Sequence, residues 1–250
     1  PLVDNPGQED IEGDDVGGPT ANFRHPSCEK QRTRGVCANR ECLFPTPCKE
    51  LDADHGELLD VLEALRSLPG VKKVFVRSGL RYDYLLAADK NQSRRFLEEL
   101  CAHHVSGTLK VAPEHVAPET LRRMGKPPAA VYEEFKKQFE AVNRKLGKKQ
   151  YLIPYYISSH PGCTLDDAMD LAVHLKACGF VPDQVQDFYP TPGTLATCMY
   201  YTGLDPFTLK PVYVARTADE KKLQRALLHF NKPENRKLVA EAQRRTGRKL

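Results

Sequence analysis

The sequence predicts an α/β fold: a partial (β/α) barrel of about four parallel strands with outer helices, followed by a helical C-terminal appendage. Three observations carry that prediction. Four short runs are rich in β-branched and aromatic residues: Val71–Ser78, Thr108–Ala112, Tyr151–Ser158 and Asp183–Tyr189. Their starts lie 37, 43 and 32 residues apart, which leaves room for a crossover helix between each pair, as parallel strands require. No G-x-G-x-x-G turn accompanies them, which favours part of a barrel over a dinucleotide-binding sheet.

The helices announce themselves in order. Asp54 with Glu57, Thr164 with Asp167 and Thr217 with Glu220 each have the spacing of a capping box. Apolar residues then repeat at helical intervals: Leu58, Leu62 and Leu65; Ala168, Leu171, Ala172 and Leu175; Leu223, Leu227 and Phe230. A further helix, about 131–146, is expected to bury Val131, Phe135, Phe139 and Val142. Gly70, Gly147 and Gly179 follow helix ends, where a left-handed residue is often needed. The last 34 residues hold helical patterns and no strand pattern, with two helices expected over 217–246, joined near Asn231–Pro233.

Composition narrows the function classes. At 250 residues, 40% apolar and 28% charged, the chain reads as soluble and globular. No apolar run approaches the ~18 residues of a membrane span, and no secretory pattern opens the chain. A cytoplasmic address is expected, where eight cysteines would stay reduced. Charge is uneven: residues 1–24 carry six acids and one base, whereas residues 216–250 carry eleven bases and four acids. The acidic opening, 1–13, reads as mobile. The basic tail reads either as a solvated helical face or as a surface able to contact RNA.

Four of the cysteines, Cys28, Cys37, Cys42 and Cys48, fall within 21 residues in the spacing C-x8-C-x4-C-x5-C. Thiolates are ligands for iron–sulfur clusters and for Zn²⁺, and Lys30, Arg32, Arg34 and Arg40 among them favour the thiolate form. The absence of a C-x2-C pair departs from common zinc-finger spacing. Unlinked cysteines or a disulfide-stapled loop remain the alternatives. In a parallel barrel, the loops after the strands carry the chemistry. Here these are S-G-L-R (Ser78–Arg81), A-P-E-H (Ala112–His115), S-S-H-P-G (Ser158–Gly162) and Y-P-T-P-G-T (Tyr189–Thr194).

At these loops the chain resembles a known family. DDVGGPTANF, GVKKVFVRSGLRYD, LKVAPEHVAPETLRRMGKP, QYLIPYYISSHPGCT and DQVQDFYPTPGTLAT, with the four cysteines after the first, resemble in order the second half of a YgiQ-like radical S-adenosylmethionine (radical SAM) protein. The resemblance implies a partial radical SAM barrel over 14–205, with a four-cysteine insertion at 28–48 and a basic helical appendage at 206–250. It implies S-adenosyl-L-methionine binding through Gly17, Gly18, Ser78, Glu114, His160, Gly162 and Tyr189. In that reading Gly17 and Gly18 let the backbone approach the methionyl part, and Glu114 accepts from the ribose hydroxyls. Cys28, Cys37, Cys42 and Cys48 match the family's second cysteine set, expected to hold an auxiliary 4Fe-4S cluster, with zinc as the alternative.

The family's catalytic C-x3-C-x2-C run does not occur in this sequence. The resemblance therefore implies the carboxyl half of an enzyme. Its partners would be an N-terminal half carrying the catalytic cluster, an electron donor and a substrate the sequence does not name. No catalytic residue is assigned, and the chain alone is expected to be inactive. The other class of reading is a nonenzymatic metal-binding module with a basic, RNA-contacting tail.

Overall fold

The computed structural model describes residues 11–13, 15–17, 27–38, 40–44, 46–182 and 185–250. In chain order these form β1 (Ile11–Gly13), α1 (Glu29–Arg34), α2 (Gly56–Arg66), β2 (Val71–Val74), α3 (Tyr82–Ala87) and α4 (Lys90–Glu99). A π-turn (Leu100–His104), β3 (Thr108–Glu114), α5 (Pro118–Met124), α6 (Ala129–Leu146), β4 (Tyr151–Ser158) and α7 (Leu165–Ala177) follow. The chain closes with β5 (Gln186–Asp187), α8 (Leu195–Thr202), α9 (Ala218–Leu228), a 3₁₀ turn (Pro233–Asn235) and α10 (Arg236–Thr246). They divide into two compact units, 1–111 with 130–153 and 112–129 with 154–250.

The first unit is built on one apolar core. Leu58, Leu59 and Leu62 of α2, Phe96 and Leu97 of α4, and Phe135, Phe139 and Val142 of α6 pack with Val74, Leu109 and Val111 of the strands. Each fully buried side chain of this size stabilises the fold by roughly 1.5–3 kcal/mol, so these three helices hold the unit together. Here β1 pairs in parallel with β2, placing Glu12 opposite Lys73. The acidic opening read as mobile thus ends in a paired strand. The run Val71–Ser78 gives only a four-residue strand because its partners change. Phe75 still donates to Gly13, but the amide of Val76 donates to the carbonyl of His104. The π-turn bulges at that point, and the His104 ring also meets the Val74 carbonyl at 2.7 Å.

The second unit has two smaller cores. Cys163, Ala168, Met169 and Ala172 pack with Leu223, Leu227 and Ala242. Tyr156, Leu171 and Leu175 pack with Val185 and Leu228. The C-terminal helices α9 and α10 therefore share a core with α7, and the join between them falls at Pro233, as the proline suggests. β4 and β5 pair in parallel through Ile157 with Gln186 and Ser158 with Asp187. β5 is shorter than the run Asp183–Tyr189, of which Asp183 and Gln184 lie outside the described residues.

The fold is α/β with parallel strand pairs, and among the described residues its strands form two sheets, β1-β2 and β3-β4-β5. The Thr164–Asp167 and Thr217–Glu220 capping boxes both form. The Asp54–Glu57 box does not. Helix α2 starts at Gly56, with His55 in the N-cap position and making no side-chain cap, while Asp54 turns to accept from the Gly56 amide at 2.7 Å. Gly70, Gly147 and Gly179 all take positive φ. No helix of the described residues is long and apolar enough to cross a membrane.

Candidate functional site

The first unit brings Gly17 and Ser78 together through a residue the sequence reading did not single out. Asp15 Oδ1 accepts from the amides of Gly17 (2.8 Å) and Arg77 (3.0 Å), and Oδ2 accepts from the Ser78 hydroxyl (3.0 Å). Burial alone would push the Asp15 pKa up, but these donors and the Arg77 charge together hold it below its ordinary value. The backbones then approach so closely that a Cβ on Gly17 would lie 2.2 Å from the Ser78 carbonyl oxygen. Only glycine fits at position 17. Gly18 lies outside the described residues.

The cysteine segment of the same unit is held by short-range bonds. Cys28 caps α1, its sulfur accepting from the Gln31 amide at 3.4 Å. The Cys42 thiol donates to the Ser27 hydroxyl at 3.1 Å, and the Cys48 amide donates to the Cys42 carbonyl at 2.8 Å. Cys42 also lies against Tyr84, whose pKa is pushed up to about 12, chiefly by burial. Arg81 stacks on the Tyr84 ring and forks onto both oxygens of Asp83 (2.9 and 2.7 Å). All four cysteines are free and half-buried. Their chemistry suits a soft metal or a cluster. Their placement does not gather them: among the described residues, no three Cys, His, Asp or Glu side chains are arranged to hold a metal ion.

In the second unit, Glu114 ends β3 with φ of 65°, a region that costs a non-glycine residue strain. Its carboxylate meets Lys126 at 3.0 Å, not Arg122, whose partners are Glu119 and Asp205. His160 is buried, its Nδ1 pairs with the Pro161 carbonyl at 2.8 Å, and Phe188 meets its ring edge-on. Gly162, at φ 92°, donates to Tyr213 and would strike the Arg123 side chain if it carried a Cβ. Tyr189 is 75% exposed and makes no part of this arrangement.

Three residues outside the expected cofactor contacts, His115, Cys163 and Gln224, tie the two loops together. His115 Nδ1 accepts from the Ala117 amide (3.0 Å), so Nε2 carries the proton and points at Cys163 Sγ, 3.4 Å away. Gln224 of α9 accepts from the Ser159 amide (3.1 Å) and donates to the Cys163 carbonyl (2.9 Å). Burial drives the His115 pKa down to about 3 and the Cys163 pKa up. Burial favours the neutral form of both, and their contact links the two loops. Ser159 takes φ of 61° within this knot. Periodicity could have flagged Gln224, a polar residue on the buried face of an amphipathic helix. Nothing in the local sequence marks His115 or Cys163 as partners 48 residues apart.

Residues 183–250 match a family model described as Domain of unknown function (DUF3362). A UPF0313 protein of Clostridium perfringens (strain ATCC 13124) is 55% identical over 234 residues, 94% of this chain and 35% of the relative. A UPF0313 protein of Clostridium botulinum (strain 657) is 54% identical over 228 residues, 91% of this chain and again 35% of the relative. The chain spans about a third of the length of the relatives it matches.

Proposed function

We propose that this chain, 55% identical over 94% of its length to a UPF0313 protein, is the cofactor-holding carboxyl part of a YgiQ-like radical SAM protein. The observation that supports this most directly is the Asp15–Gly17–Ser78 turn: a glycine forced by close backbone approach, at a strand end, where the resemblance puts the methionyl part of S-adenosylmethionine. A barrel-like arrangement of β1 to β5 belongs to the same reading. The resemblance makes Gly17 and Ser78 of the first unit, and Glu114, His160 and Gly162 of the second, candidate cofactor contacts, with Glu114 released from Lys126 to accept from ribose hydroxyls. Tyr189, being exposed, is free to turn toward an adenine ring. With its cluster, S-adenosylmethionine supplies a 5′-deoxyadenosyl radical; the protein's share is to bind, orient and exclude water. No residue of this chain is assigned a chemical step.

Cys28, Cys37, Cys42 and Cys48 are proposed as the donors for an auxiliary iron–sulfur cluster or, failing that, zinc, on the grounds of donor chemistry alone. Titration calorimetry of this chain with S-adenosylmethionine should show weak binding that Glu114→Ala abolishes. Heat unchanged by that substitution would remove the ribose role. Anaerobic reconstitution with iron and sulfide, read by EPR, tests the cysteines separately; neither iron nor zinc retained would end that part. The second reading, a nonenzymatic module with an RNA-contacting tail, predicts RNA affinity that falls steeply with salt. Several tail bases already have partners, Arg244 and Arg245 on Glu241 and Arg248 on Asp170, which favours the solvated face.

A further inference from the structure

A row of aromatic rings in the second unit runs from the interior to the surface. The buried His160 ring meets Phe188 at 5.1 Å, Phe188 meets Tyr200 at 5.6 Å, and Tyr200 meets Tyr201 at 5.3 Å with the two rings perpendicular. Tyr201 ends the row and is 68% exposed. Two cations converge on the ring behind it. Arg216 Cζ and Lys221 Nζ lie 5.8 and 5.3 Å from the centroid of Tyr200. Arg216 is steadied by the Tyr201 carbonyl at 3.3 Å, and Lys221 by the Tyr200 hydroxyl at 3.2 Å. Each uses one donor there, so most of the five N–H groups of the guanidinium and the three of the ammonium stay open.

Charge identifies the class of ligand. Residues 210–225 carry five bases, Lys210, Arg216, Lys221, Lys222 and Arg225, against Asp219 and Glu220. The Glu220 carboxylate is engaged by the amides of Arg216 and Thr217 and by the hydroxyls of Thr217 and Tyr213. Asp187 pairs with Arg225, Asp205 with Arg123 and Glu119 with Arg122, which leaves Asp219. Among the described residues neither Arg216 nor Lys221 reaches a carboxylate. One cation on the Tyr200 ring would serve the fold; a second, repelled by the first, needs an anion between them. A guanidinium and an ammonium set this way suit a phosphate. The exposed ring beside them suits a base, since aromatic side chains stack on any base face. Phosphate and unpaired base side by side are the repeating unit of single-stranded nucleic acid. A lipid surface asks only for a density of mobile charge, whereas these two cations are fixed in place by one ring.

We propose that Tyr201, Arg216 and Lys221 form a site for single-stranded nucleic acid, with a base stacked on Tyr201 and the adjoining phosphate held between the two cations. The site uses none of the tail bases Arg244, Arg245 and Arg248 and no part of the S-adenosylmethionine reading, so it stands or falls apart from both. The experiment is fluorescence anisotropy of this chain, without S-adenosylmethionine, with labelled oligouridylate and oligothymidylate of about 12 nucleotides, within the usual site size. Binding of either that weakens steeply with salt supports the site, and the tighter of the two names its sugar. Tyr201→Ala should weaken binding about 5- to 100-fold, and Tyr201→Phe should restore most of it. Arg216→Gln should make the salt slope shallower by about 0.7, the value of one single-strand phosphate contact. Arg244→Ala with Arg245→Ala should leave affinity unchanged. No binding of either oligomer at low salt would overturn the proposal, as would affinity unmoved by both Tyr201→Ala and Arg216→Gln. Loss on the tail substitutions alone would overturn it in favour of the tail. Sedimentation with phosphatidylserine vesicles, abolished by Tyr201→Ala, while neither oligomer binds would overturn it in favour of a membrane surface. Should a variant melt below the parent, photocrosslinking of the unaltered chain to an oligomer carrying 5-iodouridine replaces it: a crosslink at Tyr200 or Tyr201 supports the site, and crosslinks confined to other residues defeat it.

Discussion

Two loop systems, one in each unit, are fixed by opposite means. In the first, a carboxylate at the surface gathers three donors around Gly17 and Ser78. In the second, neutral buried groups, His115, Cys163 and Gln224, tie loop to loop. The surface device depends on a charge and hence on pH. The buried device depends on complete pairing, because a buried polar group left without a partner costs about 1–3 kcal/mol. The second should therefore be the more sensitive to substitution, while the first is held by a charge that acid removes only below the ordinary carboxylate range.

The largest expected effect is at Gln224. Gln224→Leu leaves the Ser159 amide and the Cys163 carbonyl without partners and should destabilise the second unit by about 3 kcal/mol. Gln224→Glu keeps the acceptor for Ser159 but buries a carboxyl facing the Cys163 carbonyl, so it should cost at least as much, and more as pH rises. Urea titration with hydrogen exchange over 156–175 reads both; a loss under about 0.5 kcal/mol for Leu would show that the knot bears no load. Gly17→Ala comes next, at about 2 kcal/mol in the first unit, because the added Cβ must displace the Ser78 carbonyl or the Asp15 carboxylate. Slowed exchange at Arg77 in that variant, instead of faster, would contradict the close approach.

Much of this was legible in the sequence, and the failures have physical causes. Helices with strong periodicity and two of three capping boxes fell where Thr164 and Thr217 put them. Asp54 missed because an aspartate can satisfy its own neighbour's amide as readily as a helix's third. The strand runs marked 71–78 and 183–189 correctly but overstated their pairing, since ladder partners are set by tertiary contacts such as the His104 carbonyl. Gly17 was named through the family resemblance and Ser78 through the loop that follows its strand. Asp15, which joins them, was not, because a carboxylate beside another in an acidic stretch reads as solvated. The His115–Cys163 link spans 48 residues, and no local pattern encodes such a distance.

Acid should separate the two systems. His115 and His160 are buried in the second unit with pKa values lowered by that burial, His115 to about 3, and His104 is the counterpart in the first. A histidine depressed in the folded state takes up its proton on unfolding. Its contribution is intact above about 6.5, the unfolded value, and is lost as pH falls toward the folded one. His115 and His160 should make the second unit lose stability as pH falls below about 6.5, each proton adding up to about 1.4 kcal/mol per pH unit. Asp15, also lowered, keeps its contribution above the ordinary carboxylate value and gives it up below, so exchange at Gly17 and Arg77 should quicken only at lower pH. Asp15→Asn should remove that late step, and an unchanged step would reassign it. The smallest effect is expected at Glu241: although Arg244 and Arg245 lower its pKa to about 2, all three are surface groups, and Glu241→Gln should leave thermal melting within error.

The division of the chain into units has a consequence for anyone cutting its gene. The first unit takes residues 1–111 and returns for 130–153, and the second takes 112–129 before resuming at 154. The polypeptide therefore passes from one unit to the other three times, within β3, at the head of α6 and within β4. A stop codon after Val111 removes α6 and its Phe135 and Phe139 from the core they fill, and a start codon at Pro154 deprives the second unit of Glu114, His115 and Arg123. Evolution faces the same restriction. A unit whose residues are discontinuous in the sequence cannot be moved whole by one exchange of a contiguous gene segment.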